Sequence, residues 1–522
     1  MKIIVTSSTD KTTIEMFHKC SILEILKENK IYIDAPCNGN GKCGKCKVTA
    51  TGSLSKITDV EKEILSQHEI TACCRLACMT YPIGDCEIEV ISESYNIQAS
   101  GTTDVYAVNS RISSDNAVGM AVDIGTTTVA CFFYELKNGK CLYTASGLNK
   151  QRSFGADVIS RIENCMNNDN GKELLKTTII SELNGFIAEF CNKTGKNTCD
   201  IKDAFIAGNT VMLHLLCGLD ASSIAVAPFT PNSLFGNDMN AKLLGLNIAD
   251  EANVYLADCV ASYVGGDITA GLLSCNADKF ESPCIYIDIG TNGEMALGDK
   301  NGFVCCATAA GPAFEGAHIK HGVGGIDGAI SKVYIENDEI KFSTINNSNP
   351  IGICGSGLID AIACLLRLRI IDETGRLDKD KIPARYAERY KDDEFILDFV
   401  SGITITQKDI REVQLAKAAI KGGINTLLHK SGLNITGIDK VIVAGGFGSY
   451  INQKSACEIG LLPREKLEST HAVGNAAGMG AIKALLSKNG LKTLKEITAT
   501  CNYFELSGDG FFQDEYIEQM MF

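Results

Sequence analysis

The spacing of hydrophobic and polar residues predicts a small mixed-sheet domain over residues 1–92. Stretches in which apolar and polar residues alternate predict strands, and stretches with apolar residues on one helical face predict helices. The predicted strands are Lys2–Ser7, Thr13–Met16 and Cys86–Ser92, and the predicted helices are Ser21–Glu28 and Thr58–Ile64. A domain built from such short elements has a small core and leaves most of the chain for other structure.

The pattern changes after a polar stretch. Residues 93–117 are rich in serine, threonine, asparagine and aspartate, which predicts a linker. From Gly119 onward, longer apolar strands and helices end in glycine-rich turns. The apolar stretch Ile351–Leu366 contains Asp360 and is followed by Arg367, so it predicts a buried helix and not a membrane span. We therefore expect no membrane partner.

Two segments in this second part of the chain occur twice. Val122–Thr128 recurs as Ile287–Gly293, an offset of 288 − 123 = 165 residues between the two aspartates. Ile206–Thr210 similarly resembles Val443–Gly448. Each half therefore has an early and a late apolar strand that ends in a turn. Duplicated halves predict two lobes that face each other across a cleft.

Length and composition agree with this division. The 522 residues are enough for about three domains, which are residues 1–92, lobe I over 118–282, and lobe II with the C-terminal segment over 283–522. The net charge is −14 and no dense basic run occurs, which argues against nucleic acid as a partner. The 23 cysteines and an N-terminus without an apolar signal core predict reduced thiols in the cytoplasm of an anaerobic cell.

Four cysteines near the N-terminus have the spacing of iron–sulfur ligands. Cys37, Cys43 and Cys46 lie on one loop, and Cys78 follows about thirty residues later. Three thiolates on one loop and a fourth further along the chain are typical of a plant- or vertebrate-type [2Fe–2S] site. The spacing therefore predicts a domain that transfers single electrons.

Alternatives to this ligand set remain. Zinc usually takes two Cys-x2–4-Cys pairs, and this loop contains one such pair. Cys73 and Cys74 are alternative fourth ligands, although ferredoxins place that ligand after a triplet like Arg75–Ala77, which favours Cys78. Three glycines permit positive φ angles and a close approach of backbone N–H groups to the sulfurs. These are Gly39, Gly41 and Gly44.

The repeated segment is a strand followed by Asp-x-Gly-Thr, a turn that can bind phosphate. Glycine permits the sharp reversal, and the threonine hydroxyls with nearby N–H groups can surround phosphate oxygens. A late glycine pair offers flat backbone for adenine or ribose. The residues expected to contact a nucleotide are Gly125, Thr126, Thr127, Gly290, Thr291, Asn292, Gly445 and Gly446.

Three carboxylates are expected to act in the cleft. Asp123 and Asp288 project from opposite lobes, where they can hold Mg²⁺ through its water shell while one of them orients an attacking water. Glu294 is the third candidate, and which aspartate orients the water is open. One such turn is compatible with an ordinary strand end, whereas two on a duplicated frame predict nucleotide binding. The chain has no P-loop sequence.

The duplicated turns and the late glycine pair resemble the actin, sugar kinase and Hsp70 ATPase superfamily. Gly474–Ala481 is similar to the closing segment between the lobes of that superfamily. With a [2Fe–2S] domain in front, the whole chain resembles the reductive activators of corrinoid proteins. The segments that support this resemblance are Gly208–Leu215, Gly311–Ala317 and Ile351–Asp360.

This resemblance implies an α/β and α+β multidomain protein, with a β-grasp [2Fe–2S] ferredoxin domain before a duplicated, two-lobed ATPase domain. It implies an ATP-dependent reductase that passes one electron from the cluster to the Co(II) corrinoid of a partner methyl-transfer protein and regenerates Co(I). The implied cofactors are a [2Fe–2S] cluster, ATP and Mg²⁺. A ferredoxin or flavoprotein is the implied electron donor, and the resemblance leaves both monomer and homodimer open.

Competing functions are a nucleotide-gated redox sensor or scaffold, an ATP-driven electron injector for another low-potential metalloenzyme, and a sugar or acetate kinase. Some residues also allow two interpretations. His318 and His321 are either partner contacts or ordinary loop histidines. Ser356 either caps a helix or has a catalytic role, and the role of Glu315 is equally open.

Overall fold

The computed structural model describes residues 1–6, 11–15, 20–29, 31–35, 37, 39–41, 44–90 and 116–522. Most of the predicted linker over 93–117 lies outside the described residues, and so does Cys43. Among the helices that the structure describes, none is both long enough and apolar enough to cross a membrane.

The first domain is built on a sheet with the strand order β2-β1-β5-β3-β4. The strands are β1 (Lys2–Thr6), β2 (Lys11–Glu15), β3 (Lys47–Leu54), β4 (Cys74–Leu76) and β5 (Pro82–Val90). The helices are α1 (Ile22–Glu28), α2 (Asp59–Ile64) and α3 (Gln67–Thr71). β1 pairs in parallel with β5 and antiparallel with β2, which is the predicted β-grasp plan. The predicted ends at Ser7, Met16 and Ser92 lie outside the described residues.

The sequence determines α1 locally. The Ser21 hydroxyl accepts a hydrogen bond from Glu24 N, and the Glu24 carboxylate accepts one from Ser21 N, so the helix begins with a capping box. Ile22 and Leu26 are fully buried in a core that also contains Ile3. This packing fixes the helix against the sheet directly before the cysteine loop.

Two larger sheets share one strand order over five of their six strands, β11-β9-β6-β7-β8 in the first and β22-β21-β12-β13-β14 in the second. The order in lobe I is β10-β11-β9-β6-β7-β8, and in lobe II it is β22-β21-β12-β13-β14-β23. Lobe I contains β6 (Val118–Ile124), β7 (Thr128–Glu135), β8 (Cys141–Leu148), β9 (Ile201–Gly208), β10 (Asn237–Asn240) and β11 (Asn253–Leu256). Lobe II contains β12 (Cys284–Ile289), β13 (Gly293–Asp299), β14 (Gly302–Thr308), β21 (Val441–Ala444), β22 (Thr470–Gly474) and β23 (Cys501–Tyr503). In both sheets three antiparallel strands continue into parallel neighbours. The predicted repeat is thus a structural repeat.

The register shows how the two repeated segments of each half meet. β6 pairs in parallel with β9 so that Asp123 stands opposite Ala207. β12 pairs in parallel with β21 so that Asp288 stands opposite Ala444. The early aspartate turn and the late glycine turn of each half therefore lie side by side at one edge of their sheet, as carboxyl ends of parallel strands do.

Helices cover the two larger sheets. They are α4 (Val158–Asn167), α5 (Gly171–Thr194), α6 (Thr210–Cys217), α7 (Ala241–Leu244), α8 (Gly266–Ser274), α9 (Gly355–Arg367), α10 (Gln407–Lys430), α11 (Gln453–Glu458), α12 (Ala476–Leu486), α13 (Gly490–Ala499) and α14 (Gly510–Glu518). Lobe II also contains two small sheets. Their strands are β15 (Ala329–Glu336), β16 (Glu339–Thr344) and β17 (Gly352–Ile353), and β18 (Tyr390–Lys391), β19 (Glu394–Asp398) and β20 (Ile403–Thr406). The buried helix predicted over Ile351–Leu366 is α9, but it begins only at Gly355, because Gly352–Ile353 pairs with β15 as β17.

Helices α8 and α12 join the lobes. α8 follows the last lobe I strand, α12 follows β22 of lobe II, and the two pack closely against each other. A Cβ atom on Gly480 would lie 1.8 Å from the Ala270 carbonyl oxygen, so glycine is required for this approach. The segment predicted to close the two lobes therefore lies at their contact.

Candidate functional site

Asp123 and Asp288 meet in the cleft from opposite lobes. Each side chain retains some solvent access but is surrounded by protein, so desolvation raises its pKa. The pKa of Asp123 is raised to about 7 by this burial and by the charge of Asp267, while a hydrogen bond with Asn475 opposes the change. The pKa of Asp288 is raised to about 8 by burial and by the charges of Asp267 and Asp123. The two predicted aspartates therefore form one electrostatic unit.

Asp267 belongs to the same unit and was missed by sequence reasoning. It lies in the first turn of α8, and burial raises its pKa to about 6. The two preceding glycines bring this helix start close to the lobe I turns, because a Cβ on Gly265 would lie 2.4 Å from the Asn209 Cα. The signal in the sequence was a glycine pair directly before an aspartate at a helix start.

Glu294 completes the set of carboxylates. It stands directly opposite Asp288 in the antiparallel pairing of β12 with β13, and its side chain is buried. Burial, and then the charges of Asp267 and Asp288, raise its pKa well above the ordinary value. Asn292 Nδ2 donates a hydrogen bond to Glu294 Oε1 at 3.2 Å. The charged groups that raise the pKa values of Asp123, Asp288 and Glu294 are thus other carboxylates of the same set.

Four neighbouring carboxylates form a negatively charged group that can bind a cation. Among the side chains described by the structure, no group of three aspartate, glutamate, histidine or cysteine residues is close enough to coordinate one metal ion directly. Mg²⁺ commonly keeps several waters and binds proteins through them and through substrate phosphates. The arrangement fits this second mode of binding.

The first turn, Gly125–Thr127, is held in place by hydrogen bonds to its backbone carbonyls. Asn149 Nδ2 donates to the Gly125 carbonyl at 2.8 Å, and Asn149 N donates to the Thr127 carbonyl at 2.9 Å. The buried Arg161 guanidinium donates to the Thr126 carbonyl. These bonds fix the backbone of the turn, and Asn209 Nδ2 also donates to the Thr126 hydroxyl at 3.1 Å.

The second turn, Gly290–Asn292, lies beside the late glycine pair. Gly445 has a φ angle of 94°, and a Cβ there would lie 2.7 Å from Asp288 Oδ1. At Gly446 a Cβ would meet nothing within 4 Å. Gly445 is therefore required by close packing against the catalytic aspartate candidate, whereas Gly446 faces open space where a ligand fits.

Glu315 joins the two turns across the cleft. Thr127 Oγ1 of lobe I donates to Glu315 Oε2 at 2.9 Å, and Thr291 Oγ1 of lobe II donates to Glu315 Oε1 at 2.7 Å. Glu315 ends the 3₁₀ helix Pro312–Glu315. Its carboxylate thus accepts hydrogen bonds from the two hydroxyls, Thr127 and Thr291, that the sequence predicts as phosphate contacts.

The cysteine site is described in part. Cys46 Sγ donates a hydrogen bond to Cys78 Sγ at 3.4 Å, and this bond together with burial raises the pKa of the Cys46 thiol. Cys37 does not form a three-ligand group with them, and Cys43 is outside the described residues. In a [2Fe–2S] cluster each iron takes two of four thiolates, so the Cys46–Cys78 pair fits one iron. Cys37 with Cys43 stays the predicted second pair.

The surroundings of this pair agree with the predicted loop. The predicted positive φ angles are confirmed, at 88° for Gly39, 66° for Gly41 and 66° for Gly44. Of the alternative fourth ligands, Cys73 is exposed and Cys74 lies within β4. Neither is hydrogen-bonded to Cys46 as Cys78 is.

Three residues that the sequence left open have structural partners. His318 is exposed and lies 3.9 Å from a Glu412 carboxylate oxygen. The backbone carbonyl of His321 accepts a hydrogen bond from Ile353 N. The expectation that Ser356 caps a helix is wrong, because α9 begins after Cys354 and the Ser356 hydroxyl donates to the Ser331 carbonyl at 2.9 Å.

Three family models match consecutive parts of the chain. The 2Fe-2S iron-sulfur cluster binding domain matches residues 5–82, the RACo middle region matches 118–280, and the C-terminal domain of RACo, the ASKHA domain, matches 282–522. The middle region thus falls on the part of the chain predicted as lobe I.

Whole-chain relatives have the same arrangement. The corrinoid activation enzyme RamQ of Eubacterium limosum is 34% identical over 443 residues, which is 82% of this chain and 74% of the relative. A [Co(II) methylated amine-specific corrinoid protein] reductase of Methanosarcina barkeri is 22% identical over 77% of each chain. A solved reductive activator for corrinoid, iron-sulfur protein is 34% identical and has a TM-score of 0.71, covering 99% of this chain and 98% of the other.

Proposed function

Because the chain belongs to the family of reductive activators of corrinoid proteins, we propose that it reduces the Co(II) corrinoid of a partner methyl-transfer protein to Co(I), driven by ATP. The observation that carries the nucleotide part is that Asp123 and Asp288, near the ends of the duplicated strands, converge with Asp267 of α8 and Glu294 of β13. The electron-transfer part is supported by the Cys46–Cys78 pair in a ferredoxin-type domain.

Four thiolates, Cys37, Cys43, Cys46 and Cys78, hold the [2Fe–2S] cluster in this proposal. The bound cluster supplies a single electron at a reduction potential of about −400 mV, which is typical of plant-type ferredoxins. The protein backbone at the three positive-φ glycines can approach the sulfurs closely. A Co(II)/Co(I) couple is expected at lower potential, so the transfer is uphill and needs coupling to ATP.

In the cleft, the two phosphate turns bind the phosphates and the carboxylates hold Mg²⁺ through its waters. Gly125, Thr126 and Thr127 act from lobe I and Gly290, Thr291 and Asn292 from lobe II, with Gly445 and Gly446 facing adenine or ribose. Either Asp123 or Asp288 orients the attacking water. Burial and neighbouring carboxylates raise their pKa values to about 7 and about 8 before a cation binds, and Mg²⁺ would lower both values.

The partner is a corrinoid protein, and we propose a ferredoxin or flavoprotein as electron donor. The competing sensor or scaffold needs the same cluster and cleft but no electron acceptor. An electron injector for another metalloenzyme differs only in the acceptor. Electron flow to cobalt is therefore the property that separates these functions.

The decisive experiment mixes the reduced protein with a Co(II) corrinoid protein under anaerobic conditions and follows the Co(I) absorption band. We expect Co(I) with Mg-ATP and none without it. Cys78→Ala should abolish the reaction, whereas Cys73→Ala, which removes an exposed thiol on the same segment, should retain the cluster. If the cluster is reduced and ATP is hydrolysed but no corrinoid protein yields Co(I), the sensor or another acceptor takes precedence.

A further inference from the structure

The cysteine loop comprises residues 37–46. The residues directly before this loop are attached to lobe I. Arg152 Nε and Nη2 each lie 3.1 Å from an Asp34 carboxylate oxygen, a bidentate ion pair with little solvent exposure at either side chain. Ser153 Oγ donates to the Ile33 carbonyl at 2.7 Å. Asp34 is three residues before Cys37, so this contact fixes one end of the loop.

The other end of the loop is attached to the second lobe. Lys45 Nζ donates to the Gly322 carbonyl at 3.0 Å, and Lys45 directly precedes Cys46. A Cβ on Gly322 would lie 2.1 Å from the Gly316 carbonyl oxygen, so this segment packs tightly against the residue that follows Glu315. The loop is thus held at both ends, once by each lobe.

Each attachment continues to one of the phosphate turns. Arg152 and Ser153 belong to the 3₁₀ helix Lys150–Phe154, whose N-cap Asn149 holds Gly125 and Thr127. On the other side, Gly322 follows the segment that carries Glu315, which accepts hydrogen bonds from both turns. A change at the phosphate turns therefore has a short covalent and hydrogen-bonded route to both ends of the cysteine loop.

Arg152 and Glu315 are also linked by charge. Burial opposes the charged form of Arg152, but the carboxylate of Asp34 and then that of Glu315 raise its pKa above the ordinary value. One guanidinium therefore lies within the field of two carboxylates. Asp34 belongs to the cluster domain, and Glu315 belongs to the nucleotide cleft.

We propose that Arg152 and Glu315 are positioning residues that make the seating of the cysteine loop depend on the occupant of the cleft. A nucleotide phosphate takes the Thr127 and Thr291 hydroxyls and repels the Glu315 carboxylate. The displaced carboxylate then competes with Asp34 for the Arg152 guanidinium. The ion pair that holds Asp34 to lobe I then weakens, and the loop is held at this end by the Ser153 hydrogen bond alone, so that it yields more readily to a partner. This inference rests on the nucleotide site of the proposed function.

The test uses the full chain and hydrogen–deuterium exchange of the two contacting segments, Ile31–Ala35 and Lys150–Phe154. A non-hydrolysable Mg-ATP analogue is the probe, and its binding is measured by calorimetry on the same samples. Because a charge-assisted pair is broken, we expect both segments to exchange about tenfold faster when the analogue is bound.

Three variants separate positioning from mere structure. Glu315→Gln keeps a hydrogen-bonding group without charge, so its segments should exchange slowly with and without the analogue. Arg152→Ala should exchange fast in both conditions, and Arg152→Lys should restore part of the protection because it keeps the charge but not the bidentate geometry. Lys202→Ala, which breaks a surface pair with Glu251, is the matched control and should respond like the unchanged chain.

The outcomes distinguish this inference from the proposed function. If the unchanged chain binds the analogue but the exchange of both segments stays the same, the inference is overturned and the nucleotide site of the proposed function stands. A Glu315→Gln variant that responds like the unchanged chain also overturns it, and this comparison requires no variant of Arg152. Absence of analogue binding overturns both the inference and the nucleotide part of the proposed function.

Discussion

We expect Arg75→Ala to loosen the segment that carries Cys78. Arg75 Nε lies 2.8 Å from Glu61 Oε1, and Arg75 Nη2 lies 3.1 Å from Glu61 Oε2. The Glu61 side chain is fully buried and also accepts hydrogen bonds from Leu76 N and Thr80 Oγ1. Without Arg75, a buried carboxylate would keep neutral donors but lose its counter-charge.

Two estimates give the size of this effect. Removing one partner of a buried ion pair typically costs about 3–5 kcal/mol. Burial opposes ionisation of Glu61, yet Arg75 and the backbone N–H groups of Thr58 and Leu76 lower its pKa from 4.5 to about 2. A shift of that size corresponds to roughly 3 kcal/mol at full strength. Because Arg75 is partly exposed and solvent screens its charge, we expect a loss of about 2–3 kcal/mol.

The assay follows the cluster and not global unfolding, because a chain of several domains has no single unfolding transition. The visible absorption of the cluster is recorded in rising urea, and the midpoint should fall in Arg75→Ala. Arg75→Lys keeps the charge and should lose less, and Glu61→Gln with Arg75→Met removes both charges and should recover part of the loss. A midpoint unchanged in Arg75→Ala, or equal losses in the alanine and lysine variants, would refute the reasoning.

The pH dependence gives a second check on the same pair. Because the folded-state pKa of Glu61 is depressed, its stabilisation is present above about pH 4.5 and is lost as the pH falls towards about 2. The unchanged protein should therefore lose cluster stability over that window. Arg75→Ala should lose much of this dependence.

Further predictions concern the cleft and the lobe contact. Asp267→Asn removes a like charge, so the pKa values of Asp123 and Asp288 in the free protein should fall. The pH profile of kcat/KM for ATP hydrolysis reports the free protein, and its acidic limb should move to lower pH in this variant. In the unchanged chain that limb should rise between about pH 6 and 8, where carboxyl groups with pKa values of about 7 and 8 ionise. Gly445→Ala should weaken nucleotide binding at least tenfold in calorimetry and lower the free energy of unfolding by about 1–3 kcal/mol. The reason is that φ is 94° at this position and the new methyl group would meet backbone atoms. Gly446→Ala is the control and should leave the stability unchanged. Gly480→Leu should separate the lobes and increase the radius of gyration in X-ray scattering, since even a Cβ does not fit there; an unchanged radius would contradict this packing argument.

Local patterns predicted what depends on neighbours along the chain. An apolar helical face predicted α1, and alternation predicted β1 and β5, because these signals act over a few residues. The repeat predicted the two lobes, since similar strand–turn segments form similar structures. The glycines between the cysteines predicted the positive φ angles of the loop, because glycine adopts such angles without steric strain.

Other expectations failed or were absent because their causes are not local. Asp267 was missed because it stands 267 − 123 = 144 residues from Asp123 and shares no motif with it, and only the packing of α8 brings the two together. Ser356 was left open between a helix cap and a catalytic role; it caps no helix, because its hydroxyl donates to a carbonyl on a neighbouring strand. Both outcomes depend on contacts that a single sequence does not reveal.

The sequence by itself thus determined the duplicated turns and the elements that carry them, because each depends on residue type and short-range spacing, and it predicted the four cysteine ligands on the same ground. Only the tertiary structure decided that Glu315 joins the two turns, that Arg152 holds Asp34, and that four carboxylates share one cleft. The physical reason is that charge–charge and hydrogen-bond energies depend on distance in space. The folding of two lobes and a cluster domain together sets those distances.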